Sequence, residues 1–483
     1  MPNNRADKRS KKIGKAWLML LIPIVILAIF LNFYPHMNYL FPLHVDEWYH
    51  IYIAEYIAQT GQLPQTGIYL RTFAASDLER GFHSSLALLY LVFRPTIAQW
   101  QYLPTIIFVL AVLSVFFFVD RLFGRREALI AAFLVSLLPT NVTIGGPVFL
   151  IPVNLSLIFI PLSLLFAFGL TKLNTIYNYI VLFLILTLML YSHPPSAVVI
   201  LLIITTYLTL NLASKNKAQA KHSINLLIVE IISAIAAIPV YLPYIEAKSG
   251  IAGALSFNFF IYLNQIPYIY GFVPTILFLL GFYVLSSKKD YRVWSMLLAS
   301  VFLLLTIVLF ANFNVNFLVP YQRVYVPLFL IMSIIASAAY AKILDSKQLK
   351  KFGIAIFAVL IIATLYFSIQ RDITTPYYHI INNQQYQNFL WIKNNLNNSA
   401  EVIIDPWLAK AFGPVTGMKV YSVIPFGPNP QYNEIINNTY AFFAANCTDT
   451  QFLLENNISV AYSSKCNSQN LTMVNTNTYV LKR

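Results

Sequence analysis

Charge is what this chain has least of: Asp, Glu, Lys and Arg make up 10% of its 483 residues, where a soluble domain carries about 25%. With 58% hydrophobic residues and a mean hydropathy of +0.66, that scarcity excludes a water-soluble protein, because the apolar runs are too long and too free of charge to be core helices. Cysteine is scarcer still. The two present, Cys447 and Cys466, lie in the last polar segment and nowhere in the apolar runs, which suits one disulfide in an oxidising compartment, with two free thiols as the alternative. No small-residue cleavage site follows the first apolar run, residues 16–33, so a retained first helix with a cytoplasmic start is the better reading than a cleaved signal peptide. Carboxylates are nearly absent inside the runs. Glu230 is the one well within a span, where it is expected to reach for the interface or a polar neighbour. Without more midplane charge or a pair of broken helices, an ion-coupled transporter is disfavoured.

What charge there is follows a rule. The net charge of +14 could suggest nucleic acid, but Lys and Arg fall in short clusters between apolar runs, the positive-inside pattern. Arg5, Lys8, Arg9, Lys11, Lys12 and Lys15 precede the first run, and a cytoplasmic start for it puts the basic loops at 120–126, 215–221, 288–292 and 347–351 on that same side. The runs at 16–33, 102–119, 128–140, 153–170, 177–192, 195–212, 224–244, 270–285, 293–311, 325–343 and 352–369 make about eleven transmembrane helices.

The expected fold class is therefore a polytopic α-helical membrane protein of the cell membrane, with a small extracytoplasmic α/β domain at its C-terminus. Its parts are a cytoplasmic basic N-terminus at 1–15, a transmembrane domain at 16–370 with a first outer loop at 34–101, and an outer soluble domain at 371–483. In that last part a helical stretch at 384–395 leads to a strand at 401–404, and a stretch at 453–457 leads to a strand at 458–462. Asn397, Asn437, Asn446, Asn457 and Asn470 each begin an Asn-x-Ser/Thr sequence, which in an external domain points to a glycoprotein.

The sharpest chemical signal is Leu43-His44-Val45-Asp46-Glu47-Trp48-Tyr49-His50, just after the first run. Two adjacent carboxylates beside two histidines can act as base or bind a metal or sugar, whereas the plainer reading is a polar helix start with interfacial aromatics. His193 stands before Pro194-Pro195, a helix break of the kind tolerated where it is buried in protein or lines a cavity. Arg323 begins an outer helix against the positive-inside trend, and a fixed guanidinium there suits a phosphate; a capping His and a snorkelling Arg are the plainer readings.

In order and sidedness these features resemble the GT-C superfamily of membrane glycosyltransferases, which use polyprenyl-phosphate-linked sugars and include protein mannosyltransferases, aminoarabinose transferases and the catalytic subunit of oligosaccharyltransferase. The resemblance covers nearly the whole chain and rests on Asp46-Glu47, the Gly81-Phe82-His83 helix start, Arg323 and the C-terminal domain opened by Trp391-Ile392-Lys393 and Val402-Ile403-Ile404-Asp405-Pro406-Trp407. It implies an inverting transferase with Asp46 as base and Glu47 beside it, and with Arg323 at the donor phosphate, the two facing one outer cavity. His50, His83 and His193 would orient substrate. A divalent cation, Mg or Mn, is implied as an aid to Arg323, with no organic cofactor. The partners would be the lipid-linked donor and a lipid, glycan or protein acceptor, and not nucleic acid. The segment 141–152 lacks the acidic motif of oligosaccharyltransferase, and Asp405-Pro406-Trp407 departs from its Trp-Trp-Asp-Tyr-Gly sequence, so a monosaccharide or short-glycan transfer is the reading the resemblance favours over transfer to asparagine. A lipid-linked glycan flippase and a non-catalytic membrane subunit are the alternatives.

Overall fold

A computed structural model of the chain describes residues 4–64, 79–171, 173–214, 217–246, 261–315, 317, 319–345, 350–424 and 430–482. Lys215 and Lys347 of the basic loops lie outside the described residues. The contacts divide the chain into two units, one of residues 1–38, 102–246 and 257–376 and another of 39–101, 247–256 and 377–483.

The first unit is helical. Each apolar run read from the sequence is covered in large part by a helix: Asn4–Phe33, Tyr102–Leu122, Arg125–Ser136, Leu155–Ala167, Thr175–Ser192, Pro194–Ala213, Lys217–Glu246, Phe272–Ser286, Tyr291–Phe313, Tyr325–Asp345 and Lys350–Thr374. By length and composition, seven candidate spans are present among the described residues, and eight if a pair bent by 116° is one span. Arg125–Ser136 and Leu155–Ala167, at 12 and 13 residues, are shorter than the roughly 20 residues a bilayer requires. Pro139 helps to end the first of these early, since a residue before proline is driven out of the α region. The bend lies at Gly271, whose φ of 112° suits glycine and few other residues, so the span read as starting at 270 starts in helix at Phe272.

Lipid as solvent explains the surface of this unit. Ile224, Ile228, Ile231, Ile235 and Ile238 are all exposed along one helix, a stripe that would be prohibitive in water and is ordinary against hydrocarbon. Glu230 on that helix accepts from the Thr205 hydroxyl at 3.2 Å, the polar neighbour its position demands. Tyr325–Asp345 is the opposite case, a helix buried along its whole apolar length. The segment after Ser136 folds as a buried apolar plug in which Asn154 donates to the Gly146 carbonyl at 2.8 Å. Gly146 is required there, because a Cβ would sit 2.5 Å from the Thr140 Cα.

The second unit joins two distant stretches of sequence. Its five-stranded sheet has the order β2-β1-β3-β5-β4, with β1 Glu401–Ile404, β2 Lys419–Val420, β3 Ile458–Tyr462, β4 Leu471–Asn475 and β5 Thr478–Leu481. β1 pairs in parallel with β2 and β3, while β5 runs antiparallel to β3 and β4. The parallel pairs are connected through helices Ala409–Thr416, Pro430–Ala444 and Thr450–Glu455, as such crossovers must be. Ile403, Phe442, Phe443, Leu453 and Leu471 form a core that includes Cys447 and Cys466, which are joined as a disulfide with a Cα–Cα distance of 4.9 Å. Helix Val45–Thr60 packs on Ala409–Thr416 and on Arg80–Phe93, and Tyr378 donates its backbone N–H to the Leu43 carbonyl at 3.0 Å.

Candidate functional site

The start of helix Val45–Thr60 sorts its two carboxylates into different jobs. His44, extended at φ −130° and ψ 146°, is the N-cap, and its Nδ1 accepts from the Asp46 backbone N–H at 3.2 Å. Glu47 reaches back, its Oε2 accepting from the Leu43 and His44 backbone N–H groups at 2.8 Å each. This is a capping box with histidine in the usual Ser/Thr place, and both acids favour the positive end of the helix. Glu47 is buried. Asp46, one residue around the helix, keeps 22% of its side chain exposed, with Oδ2 3.6 Å from His44 Nδ1. Because that nitrogen accepts a backbone proton through its one lone pair, it has no hydrogen to give the carboxylate, and the contact is not a hydrogen bond.

Asp46 has charged and phenolic company from the C-terminal part of the same unit. Its negative charge acts on Tyr378, whose phenol is pushed up by burial first and by Asp46 second, and on Lys410. Lys410 is 2% exposed; burial pulls its ammonium down to about 8, with Asp46 opposing that shift. Asp405 opens the turn that leads into the helix carrying this lysine, Ala409–Thr416, its Oδ1 accepting from Trp407 and Leu408 backbone N–H groups at 2.9 and 3.2 Å, and Trp407 meets Tyr378 edge-on at 5.4 Å. Asp405-Pro406-Trp407 thus folds as a helix-opening turn that turns Lys410 inward.

One helical turn beyond Asp46, on the same face, stands His50. Its Nδ1 lies 2.8 Å from His83 Nε2 and 3.9 Å from Glu79 Oε2. Glu79 is the N-cap of Arg80–Phe93 and His83 follows it by four residues, so helical geometry delivers both toward His50. One ligand atom from each of the three lies within 4.8 Å of the others. Both imidazoles are buried, and Phe82 sets the His50 ring with an edge contact at 5.1 Å. Two nitrogens and a carboxylate are donors suited to a divalent ion. On another stretch of the helix, Tyr52, Glu55, Tyr56 and Gln59 line a cavity of about 330 Å³ with Lys393 and Lys419. Burial raises Glu55 there to about 7, with the Lys393 charge opposing it.

His193 and Arg323 belong to the first unit and Asp46, Glu47, His50 and His83 to the second. His193 is the hinge between Thr175–Ser192 and Pro194–Ala213: its N–H donates to Met189, and its ring accepts from the Ser196 backbone and lies 2.6 Å from the Ser196 hydroxyl. It is buried, and its imidazole is held well below the ordinary range by burial first and by the neighbouring Arg323 charge second. Arg323 ends the short helix Tyr321–Arg323, directly before Tyr325–Asp345. The structure thus places a neutral imidazole and a guanidinium within electrostatic reach of each other.

Sequence reasoning named neither Glu79 nor Lys410 as a site residue. Glu79-x-x-x-His83 carries a helical signal of its own, four residues apart. Lys410 carries none, since nothing near it in the sequence marks a buried lysine.

No family model matches the chain and no curated protein sequence is similar to it. Solved structures are. The oligosaccharyltransferase AglB of Archaeoglobus fulgidus, in complex with an inhibitory peptide and a dolichol-phosphate, superposes with a TM-score of 0.64 at 13% identity, over 93% of this chain and 69% of that one; the same enzyme is also known in complex with Zn and sulfate. ArnT of Cupriavidus metallidurans bound to undecaprenyl phosphate gives 0.60 at 10% identity, over 96% and 98%. The mycobacterial arabinofuranosyltransferase AftD gives 0.61 at 14%, over 95% of this chain and 37% of that one. The chain has the fold of the GT-C membrane glycosyltransferases, and it is a multi-pass membrane protein.

Proposed function

We propose that the protein transfers a sugar from a polyprenyl-phosphate-linked donor to a hydroxyl on a lipid, glycan or protein at the extracytoplasmic face. The observation that carries this reading is the fold, shared across nearly the whole chain with ArnT bound to undecaprenyl phosphate. A sugar phosphate already holds its leaving group, so one base suffices. Asp46 takes that part because Glu47 is tied up in the helix cap while Asp46 is not. It accepts the acceptor's hydroxyl proton as that oxygen attacks the anomeric carbon; the bond to the phosphate oxygen breaks, its electron pair leaves with the phosphate, and configuration inverts.

Arg323 stabilises the negative charge that gathers on the phosphate, and His193, neutral beside it, can donate or accept a hydrogen bond without competing for that charge. His50 and His83 hold the helix face that presents Asp46. A bound divalent cation, Mg or Mn in the reading from sequence, would supply further charge stabilisation to the phosphate. The Zn complex of AglB and the His50, Glu79 and His83 donors support a divalent ion of some kind.

The test is incubation of purified protein with polyprenyl phosphate carrying a labelled sugar and a panel of hydroxyl acceptors. Label leaving the carrier for an acceptor is the expected result, with Arg323→Gln lowering turnover by roughly 10- to 1000-fold, as loss of a charge-stabilising donor does. Movement of the intact carrier across a vesicle membrane without cleavage would replace this reading with that of a flippase.

A further inference from the structure

Helices Val45–Thr60 and Arg80–Phe93 bring together the three donors that support a divalent ion. His50, Glu79 and His83 come from two helices, and one ligand atom from each falls within a 4.8 Å span. We propose that these three residues bind one divalent transition ion, of the Zn, Co or Mn class rather than Mg or Ca, and that the ion pins helix Val45–Thr60 to helix Arg80–Phe93 one turn from Asp46.

The ligand chemistry argues for the class. Imidazole suits borderline transition ions, whereas Mg and Ca take oxygen donors and, for Mg, several retained waters. The spacing agrees. A tetrahedral centre with bonds of about 2.1 Å sets its ligand atoms roughly 3.4 Å apart, and the nitrogen pair at 2.8 Å and the nitrogen–carboxylate pair at 3.9 Å bracket that value. Three protein ligands leave a fourth position open, as in catalytic rather than structural zinc sites.

The plainer reading is a buried hydrogen bond in which one imidazole donates to the other. It accounts for the 2.8 Å contact between the rings, with the Glu79 carboxylate 3.9 Å from the same His50 nitrogen. A cation makes use of all three groups, each ring turning the tautomer with its proton on the far nitrogen toward it. Outer surroundings are in place as well: Phe82 sits edge-on to His50 at 5.1 Å and Tyr49 lies 6.0 Å from the His83 ring, limiting water and fixing ring orientation.

The experiment is metal binding by the full-length protein in detergent, stripped with a chelator and titrated with CoCl2, and read by the visible absorption of tetrahedral or five-coordinate Co(II). This readout is independent of sugar transfer, so failure of the metal site and failure of the transferase reading are distinguishable. We expect one equivalent bound, displaced by Zn and not by a large excess of Mg. Glu79→Gln and His83→Gln should each weaken binding at least 10-fold, while Asp46→Asn binds as wild type. Glu79 is partly exposed and makes no side-chain cap, so its variant keeps the fold even if His83→Gln does not. Absence of a one-to-one complex in the wild type, or unchanged affinity in Glu79→Gln, would overturn the site.

Discussion

Two neighbouring acids, Asp46 and Glu47, differ in function because a helix turns about 100° per residue. Glu47 closes two buried backbone donors, so Glu47→Ala should cost about 1–3 kcal/mol and lower the melting temperature of the purified protein, whereas Asp46→Asn should melt as wild type does. Equal melting losses in both variants would show that Asp46 is structural too. Lys410 adds a pH dependence. Its folded-state value is lowered to about 8 from an ordinary value of about 10.4, so between those limits the unfolded chain binds more protons and stability rises with pH. Below about 8 the lysine is charged in both states and the cost of burying it is present in full. Melting temperature measured across this range should therefore climb in the wild type relative to Lys410→Met, and parallel profiles would contradict the buried, charge-averse lysine. Asp46 and His50, spaced by four on a helix, were readable as one face from the sequence. Lys410 was not, because its meaning comes from burial beside a residue hundreds of positions away.

Among the elements, helix Tyr325–Asp345 holds the first unit together, and its closest neighbour approaches through a single glycine. A Cβ on Gly281 would meet the Ile335 carbonyl oxygen at 2.2 Å, which backbone cannot yield cheaply. Close helix approach through a small residue is how membrane helices gain packing without a hydrophobic drive. Gly281→Val should destabilise by more than the 1–3 kcal/mol of ordinary overpacking, seen as loss of the monodisperse peak in gel filtration or a sharply lower melting temperature; an unchanged melt would mean the two helices separate at no cost. Long apolar runs made such helices legible in the sequence, since lipid demands them. The sheet was legible only in part. β1 and β3 read as strands because Val402-Ile403-Ile404 and Ile458-Ser459-Val460 are apolar and β-branched, while β2 has two residues and the β4–β5 pair is rich in Asn and Thr, with a turn through Asn477 at φ 60°.

For the whole molecule, the charge pattern predicts an orientation. The basic loops lie on one side if the N-terminus is cytoplasmic, so a cysteine introduced at Lys217 should be labelled by a membrane-impermeant reagent only after the membrane is opened; labelling of intact cells would invert the topology. The grouping of residues 39–101 with 377–483 could not be read from the sequence, because charge patterning reports which side of the membrane a segment occupies and not which segment it packs against. The central claim is that Asp46 removes the acceptor's proton in a sugar transfer from a polyprenyl phosphate. Its most direct test is the single-turnover rate of label transfer in Asp46→Asn against wild type, at matched melting temperature. The account predicts a rate lower by roughly 100- to 10,000-fold, the usual worth of a general base, with donor binding retained; a variant that transfers sugar at the wild-type rate would contradict it.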